Sequence, residues 1–119
     1  VKKIEKLKLK AQEHLDNDEK VIATVMGVYE STTLGEKAIR NGIFLATNKR
    51  IVFYAKRTFG YDLETFPYSN ISSIEVSKKF LGHTITFYAS GNKVSMKWIQ
   101  QGDIDTFLKH TRNAIQKVV

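Results

Sequence analysis

The chain has 119 residues, 42% hydrophobic and 26% charged, a length and balance that suit one domain with its own core. It contains no cysteine, which excludes disulfides, thiolate metal sites and a cysteine nucleophile. A net charge of +7 favours anionic partners such as nucleic acid, acidic lipid or acidic protein, although five of the lysines fall in the first ten residues.

Residues 3–15 are predicted helical, because Ile4, Leu7, Ala11 and Leu15 recur at helical spacing while Lys2, Lys3, Lys6 and Lys10 lie off that stripe. The segment is charged throughout and lacks an apolar h-region, so it is not read as a signal peptide. "EKVIATVMGVYES" reads as a strand rich in β-branched residues. "TTLGEKAIRNG" reads as a loop, with Gly toward both ends.

"FLATNKRIVFY" then reads as a hairpin turning at Asn48-Lys49. Pairing by twos gives one face with Ile43, Leu45, Val52 and Tyr54, and another with Phe44, Ala46, Ile51 and Phe53. Both faces are apolar, so both need covering. "KRTFG" is a turn, and "YDLETFPY" a strand that Pro67 should end. "SNISS" reads as one helical turn with Ser69 as a cap, and "SIEVS" as a short strand.

"HTITFYASGNKVSMKWI" is a second hairpin. A Gly91-Asn92 turn pairs Ala89 with Val94, Phe87 with Met96 and Ile85 with Trp98, all on one apolar face. Residues 103–118 form a closing helix, with Asp103 as N-cap and Ile104, Phe107, Leu108, Thr111, Ile115 and Val118 on its apolar side. The organisation is a single domain over 1–119: an N-terminal helix within 1–16, a β-barrel over 19–99 and a C-terminal helix over 103–118. Short antiparallel strands at this spacing favour a barrel or sandwich.

The run "GIFLATNKRIVFY…FPYSNISSIEV…FLGHTITFYASGNKVSMKWI" followed by a terminal helix resembles bacterial pleckstrin-homology (PH) domains of the YokE-like group. "LATNKRIVF", "PYSNISSI" and "DEKV" carry the resemblance, which extends over roughly residues 17–118. It implies a mainly β fold, a seven-stranded, orthogonally packed, half-open barrel plugged at one end by the C-terminal helix. That barrel interior covers one face of the first hairpin. The N-terminal helix is the expected cover for the other, with a second protomer as the alternative.

Catalysis requires converging groups, and none is evident. His14, His83 and His110 fall in different elements, and no HxxxH, HExxH or CxxC spacing occurs. Gly60, Gly82 and Gly91 are single turn residues rather than a phosphate-cradling loop. No enzyme activity, cofactor or metal is therefore expected. Tyr88 and Lys97 share a polar face, but aromatic-rich central strands of the RNA-binding kind are absent, and no nucleic acid partner is expected.

The candidate site comes from the turns. In PH-like barrels the connections after strands one, three and six crowd the open rim. In this chain they are residues 32–41, 56–60 and 90–93, which supply Lys37, Arg40, Lys56, Arg57 and Lys93 against Glu36. Phe59 beside Lys56 and Arg57 is an apolar wedge with basic flanks. At about 1 kcal/mol per basic residue near an anionic surface, a net four charges give roughly 4 kcal/mol, about millimolar affinity. The expectation is a non-catalytic cytoplasmic binding module, peripheral to the membrane at most, that meets anionic lipid or an acidic ligand through this rim. The alternative is a module for binding an unknown protein or for homo-oligomerisation.

Overall fold

The computed structural model describes residues 2–33 and 35–117. Its elements are α1 (Lys3–Gln12), β1 (Val21–Thr33), β2 (Glu36–Thr47), β3 (Arg50–Lys56), β4 (Tyr61–Pro67), a 3₁₀ turn (Tyr68–Asn70), β5 (Ile71–Lys79), β6 (Gly82–Ala89), β7 (Asn92–Gly102) and α2 (Ile104–Lys117). The strands form one antiparallel sheet in the order β4-β3-β2-β1-β7-β6-β5. The β1–β7 register shifts between Met26 and Val28, an irregularity that bends a strand locally.

The β2–β3 hairpin has the predicted register, with Ile43 opposite Tyr54 and Phe44 opposite Phe53. Its turn is built by one side chain. Thr47 Oγ1 accepts the backbone N–H groups of Lys49 and Arg50 at 3.1 and 3.0 Å and donates to Glu19 Oε2 at 2.7 Å. On one side Phe44, Ala46, Ile51 and Phe53 join the main core, together with Tyr29, Phe87, Met96 and Phe107. On the other side Ile43, Leu45, Val52 and Tyr54 pack against Ile4, Leu7 and Ala11 of α1. The first helix is thus the second cover. It ends at Gln12, and Leu15 contributes from the link beyond it.

At the plugged end, Asp103 Oδ1 caps α2 by accepting the Thr106 N–H at 3.1 Å. Phe107, Leu108 and Thr111 are buried, and the Phe107 ring lies 6.2 Å from that of Phe44. Tyr68 donates to the Thr47 carbonyl at 2.6 Å, and His110 Nε2 donates to the same oxygen at 2.8 Å. That oxygen joins α2, the 3₁₀ turn and the first hairpin. Val118, assigned to the apolar side of this helix, lies outside the described residues.

Several local expectations are corrected. Residues 32–41 are not a loop: β1 and β2 stay paired to Thr33 opposite Glu36. The extension is polar because both its faces meet water, so it lacks the apolar alternation that marks a half-buried strand. Gly42 is not a turn residue but a point of close approach, where a Cβ would sit 2.5 Å from the Tyr54 carbonyl oxygen.

The second hairpin turns at Ser90-Gly91, both with positive φ (52° and 83°), so Ala89 faces Asn92 and Phe87 faces Val94. Further on, Trp98 takes φ 56° and the register slips, which sends Trp98 outward, 54% exposed, and brings Ile99 into the core. Finally, Ser69 does not cap the 3₁₀ turn. Pro67 holds the N-cap position and no side chain bonds there.

Candidate anion-binding rim

The antiparallel order brings the ends of β1, β3 and β6 to one edge of the molecule. Ser31 lies opposite Val94 and Thr32 opposite Lys37. Continuing that register by one residue, Lys37 and Lys93 flank Thr32 on neighbouring strands, about 10 Å apart at the backbone. The β3–β4 turn closes with the Arg57 N–H donating to the Gly60 carbonyl at 3.1 Å, and Gly60 takes φ 89° there. Phe59 stands at its tip, 92% exposed.

By register the three connections that carry the six candidate residues lie at the same end of the strands, but not all of their charge is free. Arg40 and Arg57 both hold Asp62 Oδ2, at 2.9 and 2.8 Å. The Arg57 hydrogen bond, reinforced by Arg40, keeps the Asp62 carboxyl below its ordinary value against the opposing effect of burial. Lys37 and Lys97 hold Glu30 from either side, at 3.3 and 3.0 Å. Lys97 is the largest influence on Glu30, whose carboxyl is likewise held below its ordinary value. Among the described residues Lys56 and Lys93 make no ion pair.

Counting Lys97, six cations face Glu30, Glu36 and Asp62, a net of three. At about 1 kcal/mol per charge this gives roughly 3 kcal/mol, weaker than millimolar on charge alone. Glu30 and Asp62 are the participants the sequence reading missed. Asp62 was legible in principle: a four-residue turn after Lys56 returns the chain with Asp62 opposite Ala55, within reach of Arg57.

Behind the rim, Tyr29 stacks on Phe53, with ring centres 3.9 Å apart, and donates its hydroxyl to Glu64. Burial first, and Glu64 second, push this phenol up, so it stays protonated and serves as a donor. Among the described residues no three His, Cys, Asp or Glu side chains converge as a metal site. None of the described helices is long and apolar enough to cross a membrane.

A family model described as "Bacterial PH domain" matches residues 15–113, most of the chain. The chain belongs to the bacterial PH domain family. Solved structures agree on the fold of this PH domain. A pleckstrin-homology domain from Shewanella amazonensis SB2B is 16% identical with a TM-score of 0.58, covering 95% of this chain and 98% of that one. A protein with such a domain from Shewanella loihica PV-4 is 14% identical with a TM-score of 0.57, over 97% and 99%. The C-terminal domain of an unknown Leishmania infantum protein is 17% identical with a TM-score of 0.59, over 97% and 96%. No curated protein matches. The matches establish the family and the barrel, and none of them distinguishes the YokE-like group within it.

Proposed function

We propose that this PH domain is a non-catalytic binding module that contacts an anionic membrane surface through its β1–β2, β3–β4 and β6–β7 turns. The observation that carries the reading is the β3–β4 turn, where a fully solvated Phe59 stands beside unpaired Lys56 and beside Arg57. Charge alone gives weak attraction, and insertion of an aromatic side chain supplies the apolar contribution that charge lacks. The test is co-sedimentation with phosphatidylglycerol vesicles and with phosphatidylcholine vesicles at low salt. Binding to the first but not the second is expected, with loss at high salt, in Lys56→Glu/Arg57→Glu and in Phe59→Ser. Equal pelleting with both vesicle types, or none, ends the reading.

A second reading, assembly with another protein or with itself, is favoured by a different patch. Phe80 at the β5–β6 turn is fully exposed, with Leu81 beside it and Trp98 half-exposed on β7. Gln100 of β7 ties that strand to the β5–β6 turn by donating to the Leu81 carbonyl at 2.9 Å. Light scattering of the wild type and Phe80→Ser discriminates: a concentration-dependent mass that Phe80→Ser abolishes supports self-assembly, and a constant monomer mass removes it.

A further inference from the structure

The helix that covers the outer face of the first hairpin leaves a groove between itself and the β3–β4 turn, about 550 Å³ in volume. This lies within the roughly 300–1,000 Å³ usual for small-molecule sites. The wall on α1 carries Lys3, Lys6 and Lys10, and the opposite wall carries Lys56 and Arg57. Among the described residues Glu13 is the one carboxylate lining it, and it is occupied by Lys10 at 3.9 Å. Among the same residues Lys3, Lys6 and Lys56 have no ion-pair partner.

The groove is not only cationic. Leu7 reaches its floor, and Leu9 stands in its wall, 63% exposed. Leu9 is off the buried stripe of α1, which is Ile4, Leu7 and Ala11, so packing does not account for it. Lysine stems add methylene surface between these leucines while their ammonium groups stay in water. A free anion has no use for Leu9, and a nucleic acid strand wants stacking aromatics, which the described lining lacks. Three unpaired lysines, Lys3, Lys6 and Lys56, with Lys10 paired to Glu13 and Arg57 to Asp62, select an anionic headgroup, and the apolar lining selects a chain attached to it.

We propose that this groove binds one molecule of an anionic single-chain amphiphile. The acyl chain lies along Leu9, Leu7 and the lysine stems, and the headgroup sits between Lys56, Arg57 and the lysines of α1. The proposal deepens the membrane reading, with which it shares Lys56 and Arg57, and rests on it only for the ligand class. Its site is the seam between α1 and the barrel rather than the three-turn rim.

The test titrates the full chain with dodecyl phosphate, inorganic phosphate and dodecyl maltoside, each below its micelle threshold, using calorimetry and amide chemical shifts. Dodecyl phosphate is expected to bind at least tenfold more tightly than either of the others, with shifts concentrated in residues 3–13 and 56–57. Leu9→Gln should weaken it at least fivefold and Lys6→Gln/Lys56→Gln at least tenfold. These side chains are exposed, so an unchanged melting temperature confirms that each variant is folded. Lys37→Glu/Lys93→Glu, at the rim, should leave this titration unaltered.

Dodecyl phosphate binding no tighter than inorganic phosphate, or indifferent to Leu9→Gln, overturns the groove. The two readings fail separately. Leu9-dependent dodecyl phosphate binding without vesicle pelleting keeps the groove and removes the rim, and pelleting without such binding does the reverse.

Discussion

The β2–β3 hairpin has an apolar layer on each side, and the two layers are built differently. The inner one is aromatic and many-sided: Phe44 meets the rings of Tyr29, Phe53, Phe87 and Phe107, from four other elements. The outer one is aliphatic apart from Tyr54, and ten helical residues cover it through Ile4, Leu7 and Ala11. A layer closed by contributions from several strands and a helix opens only when the barrel unfolds. A layer closed by one short helix is able to open alone, because a helix of ten residues has little stability away from its packing surface.

Truncation in the two layers separates them. Phe44→Ala removes a fully buried ring and should cost about 4 kcal/mol, a large share of the roughly 5–15 kcal/mol typical of a domain. Its urea transition should move as one cooperative step by every probe. Leu7→Ala should cost about 2 kcal/mol, and its signature is local. Amide exchange should accelerate in residues 3–12 while the amides of β1 and β7 keep their protection. Uniform acceleration in Leu7→Ala would mean that helix and barrel are one cooperative unit.

How much of this was legible follows the same division. The inner and outer faces of the first hairpin were readable because a two-residue turn fixes the register and every side chain from Ile43 to Ala46 and from Ile51 to Tyr54 is apolar. The alternation in β6 was readable too, and Ile85 and Phe87 are inside as expected. What stayed hidden depends on backbone conformation that side-chain type does not announce. Positive φ at Ser90 moved the second turn by one residue, and positive φ at Trp98 reversed the outward and inward positions after it. The extended β1–β2 ribbon was hidden by polarity, since solvent on both faces removes the pattern by which strands are recognised. For the site, the β3–β4 turn was found, but residues 32–41 were read as a loop, and the carboxylates that occupy Arg40, Arg57 and Lys37 come from β1 and β4 and needed the register.

The outer layer has a charged fastening at its edge. Glu19, between α1 and β1, receives two hydrogen bonds from Arg50, both 2.9 Å, and one from Thr47 at 2.7 Å. Its burial is the largest single influence and raises its pKa, but the Arg50 and Thr47 hydrogen bonds together with the Asp16 N–H outweigh it, and the carboxyl titrates below its ordinary value. A group lowered on folding contributes stability above its unfolded pKa, about 4.3, and loses that contribution as pH falls through the folded value. Glu19→Gln should therefore cost about 2 kcal/mol at pH 7. The gap between wild type and variant in urea midpoint should narrow as pH is lowered from 5 to 3. A gap independent of pH over that range would mean that the carboxylate charge contributes nothing to the fastening.

The smallest effect is expected at the border between the layers, where Trp98 leaves the inner core and lines a groove beside Lys3 and Leu7. A tryptophan in the left-handed region is held against a preference of roughly 1 kcal/mol, which glycine would relieve. Half-burial of the ring contributes about 2 kcal/mol in the other direction. Trp98→Gly should thus cost only about 1 kcal/mol in urea unfolding, whereas Ile99→Ala, in the core position that alternation would have assigned to Trp98, should cost about 3 kcal/mol. Reversal of that order would place the indole inside the barrel and restore the uninterrupted β7 ladder. A larger loss at Ile99 than at Trp98 makes Trp98 a surface residue fixed by a bulge, whose backbone strain is offset by the packing of Ile99 behind it.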